Sequence, residues 1–92
     1  MAGIKNDNGK LRYDLVPVSA LEAVAEGMTM GAEKYGDNNW QGVNPERYYA
    51  ALMRHLIAWR QGEVNDPESG LNHLKHVLTN TVFLLELTKN KK

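Results

Sequence analysis

The chain has 92 residues, no cysteine, and eleven acidic against eleven basic side chains. A domain of this size buries a modest fraction of its surface, and the lack of cysteine excludes disulfides, thiolate zinc sites and thiol nucleophiles. Balanced charge argues against nucleic-acid binding, while the lack of a long apolar run or a signal-peptide core argues against a membrane protein and favours the cytoplasm.

The first predicted element is a polar arm over residues 1–16, rich in glycine, asparagine and lysine. A helix, α1, is predicted over residues 19–35. Ser19 can cap it, with Glu22 three residues later to complete a capping box. Gly36 is a natural end for this helix.

Two glycines, Gly27 and Gly31, lie four residues apart on one face of α1. Each costs about 1 kcal/mol of helix propensity relative to alanine. A closely packed backbone or a ligand against this face would explain their presence.

A second helix, α2, is predicted over residues 45–61. Asn44 caps it, Pro45 takes the first helical position, and Gly62 ends it. The apolar positions recur at the spacing of a buried helix face, which places His55 on the core side.

The third helix, α3, is predicted over residues 70–88 and forms an antiparallel hairpin with α2. It carries two adjoining apolar stripes along its length, and a single hairpin partner cannot cover both. We therefore expect one all-α domain over residues 1–92 with three helices, completed by homo-oligomerisation. The stripes comprise Leu71, Leu74, Leu78, Thr81 and Leu85, and His73, His76, Asn80, Phe83 and Leu87.

All three histidines fall on the predicted hairpin, with His55 on α2 and His73 and His76 on α3. His55 and His76 are about equally far from the turn, so an antiparallel hairpin places them opposite each other. Imidazoles bind transition metals and move protons near neutral pH. The alternative is that these histidines are core-edge side chains held by hydrogen bonds.

The loop between α2 and α3 carries three carboxylates, Glu63, Asp66 and Glu68. Carboxylate oxygens are the ligands that Mg²⁺ and Mn²⁺ prefer. Combined with the histidines, the loop predicts a metal site or a phosphate site at this end of the hairpin. The alternative is that the carboxylates cap α3.

Further candidate residues lie in the arm, where Lys10 and Arg12 follow Gly9. A flexible glycine beside two cations suits phosphate oxygens, which arginine can bind with two hydrogen bonds. The Gly-Lys-Ser/Thr signature of a Walker loop is absent. The alternative is an ordinary polar terminus.

The end of α1 places Lys34 and Tyr35 close to Asn39 and Trp40 in sequence. Aromatic faces stack on nucleobases, and an amide can read a base edge. Alternatively, the two aromatic side chains fill a small core. On α2, Arg54 is either a phosphate contact or a surface charge.

Taken in order, several segments of the chain resemble the phage dATP/dGTP diphosphohydrolase N-terminal domain family, and the similarity covers nearly the whole chain. The segments are residues 7–15, 31–36, 39–40, 47–48, 54–56 and 63–76. The resemblance implies an all-α fold related to the MazG-like nucleotide pyrophosphatases. Those enzymes cleave a nucleoside triphosphate to the monophosphate and pyrophosphate with divalent metals.

One departure concerns the metal ligands. MazG-like enzymes carry a Glu-x-x-Glu pair on one helix and a Glu-x-x-Asp pair on the next. The matching positions here are His73 and His76 on α3, and residues 54–58 of α2 contain no carboxylate. Imidazoles would hold Mg²⁺ poorly, although they can hold phosphates. The resemblance therefore implies the fold and a nucleotide ligand more directly than it implies hydrolysis.

Two functions follow as hypotheses. The first is a purine deoxynucleoside triphosphate pyrophosphohydrolase that uses Mg²⁺ or Mn²⁺. The second is a non-hydrolysing protein that sequesters a nucleotide immune signal and needs no metal. An interaction module whose aromatic residues fill an oligomer interface is a third reading.

The enzyme hypothesis assigns roles to named residues. Its catalytic residues are His55, Glu63, Asp66 and Glu68. Its metal ligands are His73, His76, Asp66 and Glu68. Its nucleotide-binding residues are Lys10, Arg12, Lys34, Tyr35, Asn39, Trp40, Arg54, His73 and His76.

Overall fold

The computed structural model describes residues 3–90, and within this range the chain forms three α-helices and no β-strand. The all-α fold predicted from the sequence is confirmed. The outermost residues of the predicted arm and domain, 1–2 and 91–92, lie outside the described range. The helices are α1 (Val18–Tyr35), α2 (Pro45–Arg60) and α3 (His73–Thr88), and short 3₁₀ turns span Tyr13–Leu15 and Asn39–Gly42.

The start of α1 differs from the capping box predicted at Ser19. The helix begins at Val18, so Ser19 lies inside it, and Pro17 takes the cap position without a side-chain hydrogen bond. Proline holds the extended backbone that precedes the helix, with φ −67° and ψ 142°, so no capping side chain sets the start. At the other end Gly36 has φ 94° and ends the helix as predicted.

The start of α2 is confirmed in detail. The Asn44 side chain accepts a hydrogen bond from the Glu46 N–H at 3.0 Å, and Pro45 is the first helical residue. The helix ends at Arg60, and Gly62 follows with φ 103°, a conformation that favours glycine.

The third helix begins at His73, three residues after the predicted start at residue 70. The preceding loop folds back on itself, because the Asp66 N–H donates to the Leu71 carbonyl at 2.8 Å and the His73 N–H donates to the Val64 carbonyl at 2.9 Å. Asn72 then caps α3 by accepting from the Leu74 N–H at 2.9 Å.

The arrangement of the helices creates an open groove. The helices α2 and α3 form the predicted antiparallel hairpin, and α1 also packs on α3. Within residues 3–90, α1 and α2 make no backbone contact with each other. They form the two walls of the groove, and α3 is its floor.

The two stripes of α3 have different environments. The stripe with the histidines faces the other helices, and His73, Asn80 and Phe83 are buried. The leucine stripe is largely open to solvent: Leu74, Leu78 and Leu85 are exposed.

The chain is also extended for its length. Its radius of gyration is 16.6 Å, whereas a compact domain of this length would have about 12 Å. Among the residues described, Ala23 and Phe83 are the buried apolar side chains, so much apolar surface is uncovered. No helix in the described range has the length and apolar character needed to cross a membrane.

Candidate functional site

The main cavity is the groove between α1 and α2, with a volume of about 1030 Å³. Its floor consists of α3 residues, and the loop before α3 closes one end with Asp66, Glu68 and Ser69. Gly31 belongs to the α1 wall, where a Cβ atom would meet nothing within 4 Å. A groove of this volume can hold a nucleotide.

A cluster of possible metal ligands lies at the loop end of the groove. His55, Asp66 and His76 each offer one atom, and these atoms lie within 4.8 Å of one another. An ion bound at about 2.1 Å needs donors no more than about 4.2 Å apart, so small movements suffice. This cluster includes His55, which the sequence did not assign as a ligand, and omits the predicted ligands His73 and Glu68.

The two histidines of the cluster are stacked. The imidazole rings of His55 and His76 have centroids 4.3 Å apart and planes inclined by 15°. Burial lowers the pKa of His55, and the neighbouring His76 lowers it further. Burial likewise lowers the pKa of His76, against the opposing effect of Asp66. Both shifts favour the neutral imidazole, which has a lone pair to offer.

The third member, Asp66, is held as a carboxylate by the loop. Burial would raise its pKa, but hydrogen bonds from the Glu68 N–H and the Ser69 side chain bring the pKa below the ordinary value. The Glu68 N–H donates to Asp66 Oδ1 at 3.2 Å. Ser69 also orients His76, with Oγ 2.7 Å from Nε2.

A chain of hydrogen bonds runs behind the cluster. Nδ1 of His55 lies 2.8 Å from Nδ1 of His73, and Nε2 of His73 lies 2.7 Å from Oε1 of Glu63. His73 is only 4% exposed. Glu63 therefore lies behind His73 and does not line the groove.

Cationic side chains border the groove. Lys34 on α1 and Arg47 and Arg54 on α2 are exposed and line it. Lys34 Nζ lies 3.3 Å from Oε1 of Glu68, which links the end of α1 to the acidic loop. The border thus offers three positive charges to an anionic ligand.

A smaller cavity of about 380 Å³ adjoins the groove near the end of α1. Tyr35 and Asn39 line both cavities. Trp40 lines the smaller one and stacks on Phe83, with ring centroids 4.9 Å apart, while Tyr48 packs on Phe83 at 4.7 Å. Trp40 thus has a packing role, as one of the two sequence-based readings proposed, and Tyr35 is largely exposed.

The structure does not bring the cations of the arm to the groove. Neither Lys10 nor Arg12 lines either cavity. Arg12 instead donates two hydrogen bonds of 2.8 Å to Asp14, and this lowers the pKa of the Asp14 carboxyl.

Several residues of the groove were absent from the predicted site. Asn80 and Phe83 lie on the same α3 stripe as the histidines, and this periodicity is the signal that could have identified them. Arg47 and Ser69 fall within the segments that carry the family resemblance. Their side-chain directions depend on the fold of α2 and of the loop.

Comparisons with known proteins identify the family of the chain. A family described as dATP/dGTP diphosphohydrolase, N-terminal, matches residues 1–92. A dATP/dGTP diphosphohydrolase of Salmonella phage PMBT28 is 36% identical over 91 residues, which cover 99% of this chain and 31% of that protein. The chain thus spans about a third of the length of that relative. No solved structure shows significant similarity to the chain. Because the family match extends over every residue, the chain belongs to the dATP/dGTP diphosphohydrolase N-terminal family.

Proposed function

We propose that this chain is the nucleotide-binding and catalytic domain of a purine deoxynucleoside triphosphate diphosphohydrolase. The observation that carries the proposal is the cluster of His55, Asp66 and His76 at the end of a cation-bordered groove. Family membership and the activity for which the phage relative is named support it. The corresponding products are a deoxynucleoside monophosphate and pyrophosphate.

The two adjoining cavities suggest how the substrate lies. The phosphates occupy the groove, where Arg47, Arg54 and Lys34 offset their charge. The purine base extends towards the smaller cavity, where the exposed Tyr35 ring offers a stacking face and the Asn39 amide can bind the base edge. We assign the α-phosphate to the part of the groove beside the histidine cluster, where hydrolysis would take place.

The cluster would hold a divalent metal through His55, Asp66 and His76. Two imidazoles and one carboxylate fit Mn²⁺ better than Mg²⁺, which prefers oxygen ligands alone. A bound metal supplies charge stabilisation to phosphoryl oxygens and lowers the pKa of a bound water. Glu68, next to Lys34, is the remaining carboxylate that lines the groove.

In the proposed reaction a water oxygen forms a bond to the α-phosphorus. The P–O bond between that phosphorus and the oxygen bridging to the β-phosphate breaks, and pyrophosphate leaves with the electron pair. We assign to Glu68 the role of accepting the water proton. Lys34 and Arg54 offset the negative charge that develops on the leaving group.

A second candidate function is nucleotide sequestration without hydrolysis. It is favoured by the small number of acidic ligands: within residues 3–90, the carboxylates that line the groove are Asp66 and Glu68. A screen separates the two functions. The protein is incubated with a mixture of deoxy, ribo and cyclic nucleotides, with and without Mn²⁺, and the free and protein-bound fractions are identified by mass spectrometry.

Metal-dependent formation of monophosphate and pyrophosphate supports the enzyme. An intact nucleotide that is released only on denaturation supports sequestration. Retention of no nucleotide and conversion of none would contradict both functions.

We further propose that the chain forms a homo-oligomer in the cytoplasm, where the nucleotide pool is found. The exposed leucines of α3 and the extended shape of the chain support this assembly. The proposed ligand is a free nucleotide and not a nucleic acid.

A further inference from the structure

We propose that Glu63 and His73 are positioning residues that fix the proton of His55 on Nδ1 and leave the lone pair of Nε2 free. The use of that lone pair for a metal rests on the proposed function, but the position of the proton does not. Glu63 and His73 thus take positioning roles, whereas the sequence suggested a catalytic role for Glu63 and a metal-ligand role for His73.

The carboxylate of Glu63 can only accept hydrogen bonds. Its contact of 2.7 Å with His73 therefore requires a proton on Nε2 of His73. A neutral imidazole carries one N–H, so Nδ1 of His73 has a lone pair. The contact of 2.8 Å between the two Nδ1 atoms then needs a proton from His55. That assignment leaves Nε2 of His55 unprotonated.

The surrounding structure keeps these groups in place. The Glu63 N–H donates to the Ala58 carbonyl at 3.0 Å, and the His73 N–H donates to the Val64 carbonyl at 2.9 Å. The first bond fixes the Glu63 backbone to the end of α2, and the second fixes the His73 backbone to the residue that follows Glu63. Because His73 is 4% exposed, water has little access to compete for its ring nitrogens.

The arrangement also explains why His73 is absent from the ligand cluster. Both of its ring nitrogens are engaged, one by Glu63 and the other by His55. A metal could bind His73 only after one of these hydrogen bonds had broken. The same pattern, in which a carboxylate fixes the tautomer of a histidine, orients ligands in many metal sites. Here the carboxylate acts through a second imidazole.

The proton positions can be measured directly in the metal-free, nucleotide-free protein. Long-range ¹H–¹⁵N spectra distinguish the two tautomers of each neutral imidazole, at about pH 8, above the ordinary histidine pKa. We expect His55 with its proton on Nδ1 and His73 with its proton on Nε2. Finding the His55 proton on Nε2 would overturn the proposal.

A charge reversal at Glu63 tests the direction of the chain of hydrogen bonds. The ammonium of Glu63→Lys can only donate, so it should move the His73 proton to Nδ1 and the His55 proton to Nε2. The matched control is Glu22→Lys, the same change at an exposed position of α1, which should leave both tautomers as in the parent protein. An unchanged His55 tautomer in folded Glu63→Lys would overturn the proposal.

A milder substitution covers the case in which Glu63→Lys does not fold. The amide of Glu63→Gln can accept or donate, so both histidines should show mixed tautomers with intermediate ¹⁵N shifts. Parent-like tautomers in this variant would also contradict the proposal. Circular dichroism verifies the helical content of each variant.

Metal titration then separates this inference from the proposed function. Calorimetry with Co²⁺ should show a loss of affinity of about tenfold or more in Glu63→Lys and no loss in Glu22→Lys. Suppose that the parent protein binds no metal while the tautomers invert as expected: the proposed proton positions are then correct, and the metal role of the site is wrong. If metal binds equally to all variants and the tautomers do not change, the proposed control of the His55 proton by Glu63 and His73 is wrong.

Discussion

Gly27 of α1 lies directly against the Thr79 side chain of α3. A Cβ atom at position 27 would come within 2.9 Å of Thr79 Cβ, and closer still to its hydroxyl oxygen. That hydroxyl is itself fixed, because it donates to the Lys75 carbonyl at 2.8 Å. This contact sets how closely α1 approaches the floor of the groove.

We therefore expect Gly27→Ala to lower the free energy of unfolding. Overpacking costs about 1–3 kcal/mol, which exceeds the gain of about 1 kcal/mol in helix propensity. Urea unfolding followed by circular dichroism measures the difference. The control is Gly31→Ala, four residues later, where a Cβ meets nothing within 4 Å and the propensity gain should stabilise the helix. Equal effects at the two positions would contradict the packing account.

The cationic border of the groove predicts a second result. Arg54→Ala should weaken the binding of a non-hydrolysable α,β-imido analogue of dATP by about tenfold or more, because a charge-assisted hydrogen bond is lost. Arg60→Ala removes the same charge from the exposed end of α2, outside the groove, and should leave the affinity unchanged. Calorimetry compares the two variants. Similar losses in both would indicate a general charge effect instead of a bound phosphate.

The stacked histidines predict how stability depends on pH. Burial lowers the pKa values of His55 and His76 in the folded state. Below about pH 6.5 the unfolded chain takes up protons that the folded chain does not, so the free energy of unfolding should fall on acidification through this range. The decline ends below the folded-state pKa values. Asp66, whose pKa is lowered from 3.8, contributes only at more acidic pH.

Urea unfolding at pH values between about 7.5 and 5 measures this slope. His55→Gln removes one of the two groups and should make the decline shallower. A free energy of unfolding that rises on acidification in the parent protein would show that the histidines are protonated, and not neutral, in the fold.

The leucine stripe of α3 predicts self-association. Light scattering coupled to gel filtration should give a mass above that of one chain. Leu78→Lys, on the exposed stripe, should reduce the mass towards the monomer. Leu11→Lys makes the same change on the arm and should leave the assembly intact. A monomer at every concentration would contradict the proposed oligomer.

Local sequence signals predicted much of the fold. Asn44 and Pro45 identified the start of α2 because a cap and a proline act within one turn. The start of α3 at His73 was harder to predict from the sequence, because it depends on the hydrogen bonds by which the loop folds back on itself. The start of α1 was placed one residue late, because Pro17 fixes the backbone where a side-chain cap was expected at Ser19.

The sequence predicted which histidines and carboxylates come together at the site, but not which of their atoms form hydrogen bonds with each other. Hairpin symmetry indicated that His55 and His76 would meet, and their rings stack. Which nitrogens bond to which partners depends on ring orientation, so the Glu63–His73–His55 chain of hydrogen bonds was not evident from spacing. Likewise, the residues around Arg12 suit phosphate binding, but the Arg12 guanidinium donates hydrogen bonds to the carboxylate of Asp14.

The most direct test of the proposed function is a hydrolysis assay of this chain with dATP and dGTP in the presence of Mn²⁺. Ion chromatography should show deoxynucleoside monophosphate and pyrophosphate in equal amounts, dependent on the metal and lost in Asp66→Asn. Intact dATP and dGTP after incubation, or products formed equally by Asp66→Asn, would contradict the assignment of catalysis to the cluster of His55, Asp66 and His76.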